Sequence, residues 1–152
     1  MAPDDATPDA LGPGDCWTLL ASAPVGRLAL VVDGRPEIFP VNHVVDHGSL
    51  VFRTAPGTKL AAIRGATRVA FEVDGLDVAA GVAWSVIVKG LAERVSGRNL
   101  VLEAAALPIF PWHGGPKNWF VRIRPEAISG RRFAVAGAAG RESGDPPPPA
   151  LI

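Results

Sequence analysis

The segment VFRTAPGTKLAAI at residues 51–63 carries the densest set of groups able to grip an anion. A strand delivers Arg53 and Thr54 to a tight Pro–Gly turn, and a helix starts at Thr58. The first amides of a helix lack intrahelical partners and carry the positive end of its dipole, so a phosphate placed there is bound by backbone N–H groups. Thr58 adds a hydroxyl donor, and Lys59 and Arg53 add charge, Arg53 through two parallel bonds to phosphate oxygens. The spacing is not that of a nucleotide triphosphate loop, because GxxxxGK[ST] is absent and no GxGxxG follows a strand. Taken alone, the same residues also fit a helix cap flanked by solvated charges.

Other reactive side chains point to less. His43 and His47 stand four apart, a ligand spacing on a helix, but NHVVDHGS reads as a strand followed by a turn, so no metal is expected. His43 reads as an outward strand residue beside Asn42, and His47 as a solvated turn residue. Glu72 and Asp74 share one face of a strand and are expected to pair with Lys89 or Arg94 on a neighbouring strand rather than to act as a glycosidase pair. The single cysteine, Cys16, cannot form an internal disulfide or a thiolate cluster, which favours a reducing, cytoplasmic setting and a packing role. GxSxG is absent, and Ser85 lies inside a strand rather than at a nucleophile elbow.

The elements that must position these residues follow from composition and period. A chain of 152 residues, 48% hydrophobic and 20% charged, suffices for one domain. Fifteen basic residues balance fifteen acidic ones, so neither nucleic acid nor a membrane surface is an expected partner. No basic start with an apolar run resembles a secretory signal, and charge or Gly/Pro interrupts every apolar stretch. Residues 1–11 and the proline-rich 136–152 read as disordered tails around a domain at 12–135. Asp15 is expected to cap a short helix carrying Trp17 and Leu20. GRLALVV, PEIFPVNHVV and SLVFRT then read as strands separated by DGRP and DHGS turns, followed by the short helix from Thr58 that stops at Gly65. RVAFEVD and WSVIVKGLAERVS read as strands, RNLVLEAAAL as a helix, and NWFVRIRPEAISGRR as one or two more strands. Many short strands with brief helices imply a small antiparallel barrel, mainly β. Its interior is filled by side chains, which leaves the outer wall or a subunit boundary for a ligand.

The pieces CWTLLASAPVGRLALVVDGRPEIFPVNHVVD, LVFRTAPGTKLAAI, VAFEVDG, WSVIVKGLAERV and, more loosely, VRIRPEAISGRR resemble the pyridoxamine 5'-phosphate oxidase-like family of FMN-binding split barrels, particularly its small actinobacterial-type members. The resemblance covers roughly residues 15–133. It implies a six-stranded Greek-key split barrel that forms a homodimer, with FMN in two equivalent clefts between subunits. On it, Pro40, Val41 and Asn42 line the isoalloxazine ring, Arg53, Thr54, Thr58 and Lys59 hold the phosphate, and Trp84 and Ser85 meet the flavin's polar edge. A flat apolar wall suits the ring, and donors at its pyrimidine edge stabilise the charge that accumulates on reduction.

Departures from the family narrow the function. Arg53 falls where nitroimidazole-resistance members resemble one another in carrying a histidine, so that activity is not expected. The basic, aromatic C-terminal segment with which pyridoxamine-phosphate oxidases clasp substrate has no match in the proline tail, so that substrate is not expected either. In PIFPWHGGPKNWF, Trp112 could stack on a partner's flavin and His113 donate a proton, but a connector anchored by burial of Trp112 and Trp119 is the preferred reading. The function implied is an FMN-dependent oxidoreductase acting on a small organic substrate. Its alternatives are a deazaflavin-dependent reductase, with Arg64 and Arg68 near the cofactor's tail, and a non-catalytic flavin- or haem-binding module.

Overall fold

The computed structural model describes residues 9–109 and 119–135. In chain order the elements are β1 (Asp9–Ala10), α1 (Pro13–Ser22), β2 (Val25–Val32), β3 (Arg35–Asp46), β4 (Ser49–Thr54), α2 (Thr58–Ala62), β5 (Thr67–Asp77), β6 (Val82–Arg94), α3 (Arg98–Ala105) and β7 (Trp119–Ala134). Asp33–Gly34 and His47–Gly48 turn the chain between β2, β3 and β4 in two-residue loops whose four residues all have positive φ, from 47° to 74°. That pattern belongs to type I′ turns, whose twist matches the flanking strands. The DG and HG signals of the sequence therefore fix the register of this meander.

The strand order is β1-β7-β4-β3-β2-β5-β6, and β6 pairs again with β7. β2 to β7 thus close a six-stranded antiparallel barrel, with β1 added outside β7. β5 returns past β4 and β3 to pair with β2, which makes the connection a Greek key. Closure depends on β7, a single 16-residue strand that pairs with β4 through its first residues and with β6 along most of its length. A bulge opposite Lys89 and Gly90 bends it. A side chain at Gly90 would bring its Cβ to 2.1 Å from the Arg124 carbonyl oxygen, so only glycine allows the two backbones to approach there.

Strand alternation sends Leu28, Leu30, Val41, Leu50, Phe52, Phe71, Val86 and Val121 into the barrel interior. α1 packs against β3, β6 and β7 across one mouth, inserting Cys16 and Leu20. α2 packs against β2 and inserts Leu60. α3 covers part of the outer wall, where Val51, Ala104, Ile109 and Phe120 form a second buried cluster.

Three sequence readings change. Gly12 occupies the α1 cap position and Asp15 lies in the first turn, where a carboxylate still complements the helix dipole without capping it. Asp9 and Ala10, assigned to the N-terminal tail, pair with Arg132 and Arg131. His43 points inward: it is 5% exposed, its Nε2–H donates to the Leu20 carbonyl at 2.9 Å, and its ring meets Phe71 edge-on. Odd-numbered β3 residues face the core here, which turns Asn42 and Pro40 outward. Residues 1–8 and 136–152 lie outside the described residues. Among those described, no helix is long and apolar enough to cross a membrane.

Candidate functional site at the split between two strands

β3 pairs with β2 through residues 35–42 and with β4 only through residues 43–46. The two strands therefore diverge between the first half of β3 and the end of β4. Pro36 and Pro40 fall on this half, where a missing backbone N–H is tolerated because the second edge has no strand partner among the described residues. Pro40 and Asn42 present the outer face of β3 beside the split.

From β4, Arg53 also points outward, half-buried, with its guanidinium carbon 5.2 Å from the centre of the Phe120 ring. From α2, Lys59 reaches back so that Nζ lies 5.7 Å from the ring centres of both Phe39 and Phe52. Its charge thus sits over the gap between β3 and β4. Thr58 begins α2 and is exposed. α2 is a single turn, so its dipole is small, and the side-chain charges of Arg53 and Lys59 carry most of the attraction for an anion. Thr54 is buried and donates its hydroxyl to the Ala55 carbonyl at 3.1 Å, so it braces the turn. Val41 packs in the core, so only its main chain can border the split.

Trp84 and Ser85 stand elsewhere. β6 lies three strands round the barrel from β3. Trp84 faces inward against Gly75, where an added Cβ would lie 2.5 Å from the indole, and Ser85 faces outward opposite Asp74. Pro40, Asn42 and Arg53 thus share the outer face beside the split, Lys59 lies against the inward rings of Phe39 and Phe52, Thr58 begins α2, and Trp84 and Ser85 stand apart. Trp112 and His113 lie outside the described residues.

Two arrangements had no sequence signal, because their partners are distant in the chain. Arg94 donates from Nε to the Ile63 carbonyl at 3.1 Å and from a terminal nitrogen to the Leu60 carbonyl at 2.6 Å, satisfying the end of α2. It also lies over Trp119, 5.7 Å from the ring centre. Arg27 on β2 lies 3.3 Å from carboxylate oxygens of both Glu72 and Asp74. The expected partners Lys89 and Arg94 are thus replaced by a residue on the other neighbour of β5, which the register places opposite Glu72. Burial, with the adjacent Asp74 carboxylate, pushes the Glu72 pKa from 4.5 up to about 7 despite Arg27.

Near the α1 mouth, burial raises the Cys16 thiol pKa, and Asp15 adds to the effect, which suits packing rather than nucleophilic chemistry. His47 is exposed and its Nδ1 lies 2.9 Å from the Asp46 carboxylate.

The donor set at the split fits a phosphomonoester: two cations, a hydroxyl and the leading amides of α2 beside an apolar strand face. The pyridoxamine 5'-phosphate oxidase family model matches residues 13–132. The uncharacterized Mycobacterium tuberculosis protein Rv0080 is 37% identical over 126 residues, covering 80% of this chain and 82% of that protein. An FAD-binding protein from Mycobacterium smegmatis is 39% identical in its solved structure, with a TM-score of 0.70 over 85% of this chain and 99% of that one. A candidate pyridoxamine 5'-phosphate oxidase from Corynebacterium glutamicum is 35% identical, with a TM-score of 0.76 over 85% of this chain and 100% of that one.

Proposed function

The chain belongs to the pyridoxamine 5'-phosphate oxidase family, and on that premise we propose that it is a flavin-dependent oxidoreductase that binds the FMN unit at the β3–β4 split and acts on a small organic substrate. The features that support the reading are the outward Pro40, Asn42 and Arg53 beside the split, Lys59 against the Phe39 and Phe52 rings at the gap, and Thr58 at the start of α2. The FAD-binding relative supports a flavin, and the FMN unit is common to mononucleotide and dinucleotide forms.

In this reading Arg53 and Lys59 neutralise the phosphate, Thr58 donates to it, and Pro40 supplies a dry wall for the ring. Asn42 fixes the ring's orientation from the adjoining outward position. The bound flavin supplies hydride or electron transfer, and the protein contributes orientation, exclusion of water and placement of charge. Ser85, outward on β6, would join the site only if a second copy brought it, whereas Trp84 faces the interior. A homodimer with two shared clefts is part of this proposal, and the exposure of Val31, Ile38 and Ile87 on the outer wall, 61%, 70% and 39%, is in keeping with it.

A flavin-binding module without turnover is the second reading, favoured by the absence of an acid–base side chain among the described residues of the split. The visible spectrum of the purified protein, before and after adding FMN, tests the cofactor class. A flavin spectrum is expected; a deazaflavin or haem spectrum contradicts the assignment. Steady-state NAD(P)H oxidation by the flavin-loaded protein then separates an enzyme from a module.

A further inference from the structure

Four outward residues stand in one line across β3, β2, β5 and β6: Pro40 lies opposite Arg27, Arg27 opposite Glu72, and Glu72 opposite Ile87. The neighbouring line on the same face holds Ile38, Ala29, Ala70 and Lys89 in the same strand order. We propose that the outer face of β2 and β5 is a contact with a second copy of this chain, closed about a twofold axis that runs between those two strands and holding Glu72 in its protonated form.

A twofold contact must be complementary to itself, because each pair of residues across it occurs twice. An axis between β2 and β5 exchanges β2 with β5 and β3 with β6. It therefore sets Arg27 against the partner's Glu72, Ala29 against the partner's Ala70, and Pro40 against the partner's Ile87. A cation meets a carboxyl group, two small residues meet at the centre where aligned sheets approach most closely, and an apolar pair flanks them. The orientation of the axis rests on the flavin reading above. Ser85 and Asn42 each lie two residues further along, on the same side of the first line, so this axis also brings Ser85 to the partner's Asn42 at the split. An axis across the strands would set β6 on β6 and leave Ser85 remote from either cleft.

Charge balance accounts for the proton. Arg27 lies 3.3 Å from carboxylate oxygens of both Glu72 and Asp74, so one cation serves two carboxyl groups in each copy. Glu72 Oε1 is buried with no hydrogen-bond partner. The remaining charges on this face beside Glu72 are Lys89, one line away on β6, and Arg68 on β5, which pairs with Glu126 on β7. Two copies thus set two arginines against four carboxyl groups at the axis, and the charges match when each Glu72 keeps its proton. The raised Glu72 pKa, about 7, makes that form available near neutrality. Loss of the proton at higher pH adds a negative charge per copy to a closed contact and weakens it.

Sedimentation of the full-length protein, with far-UV circular dichroism to verify folding, tests this. The wild type should be a dimer near pH 6 whose dissociation constant rises about tenfold by about pH 8.5. Glu72→Gln, which imitates the protonated group, should dimerise equally at both. Arg27→Glu and Glu72→Arg should each be monomeric alone, through repulsion across the axis, and a 1:1 mixture should recover a dimer, since each copy then faces its opposite charge. A wild type that is monomeric near pH 6, a dimer indifferent to pH, or a mixture of folded variants that stays monomeric overturns the contact and leaves the flavin reading intact. A dimer that responds as described yet binds no flavin supports the contact and contradicts the flavin reading.

Discussion

His43 sits in the core as a neutral imidazole, because burial lowers its pKa below 6.5 more than the Leu20 contact raises it. The unfolded chain then takes up a proton that the folded one refuses, so stability is complete above about pH 6.5 and declines as pH falls below it. His43→Gln, which keeps a donor for the Leu20 carbonyl, should flatten that decline in thermal melts between pH 7 and about pH 5. Glu72 acts in the opposite sense. Its pKa rises from 4.5 to about 7 in the fold, so the folded state keeps a proton that the unfolded chain releases, and stability falls as pH climbs through that interval. Glu72→Gln should melt above the wild type at pH 8 and converge with it near pH 4.5. Equal pH profiles for variant and wild type would contradict the assignment. At the split, replacing both Arg53 and Lys59 by alanine should weaken flavin binding by about 2–5 kcal/mol in a titration, the range for charge-assisted contacts. An unchanged affinity would remove them from the phosphate site.

Among the elements, β7 decides whether the barrel closes. Gly90→Ala should destabilise the protein by about 2–3 kcal/mol in denaturant unfolding, since the added Cβ meets backbone that cannot swing aside. Unfolding at the wild-type midpoint would show that the bulge adjusts freely. The strands, both hairpin turns and the start of α2 could be read from period and from DG, HG and GTK signals, because these depend on neighbours in the chain. The cap lies three positions before Asp15, since a helix that begins with Pro13 after Gly12 needs no side-chain cap to start. The inward face of His43 departs from the sequence expectation for another reason. Alternation shows which residues share a side, but only tertiary pairing shows which side is the interior, and a polar ring beside Asn42 looked solvent-facing. Arg94 and Arg27 were silent because their partners lie 31 to 47 residues away, beyond any local pattern.

Across the whole molecule, the residues assigned to the flavin by family resemblance divide into two groups on opposite parts of the barrel. Pro40, Asn42 and Arg53 share the outer face beside the split, with Thr58 and Lys59 on α2, whereas Ser85 lies outward on β6, where only a proposed second copy would bring it to that cleft, and Trp84 faces the interior. Sedimentation or light scattering should therefore report a dimer. A monomer that holds flavin tightly would refute the shared cleft. Sequence could suggest the pairing of copies through resemblance alone, since nothing local encodes which outer strand faces will meet. The most direct test of the central claim is a crystal structure of the protein grown with FMN. The account predicts the phosphate within hydrogen-bonding distance of Arg53 and Lys59, with the ring against Pro40 and Asn42. A phosphate bound away from both cations, with the β3–β4 split filled by the protein's own chain, would contradict it.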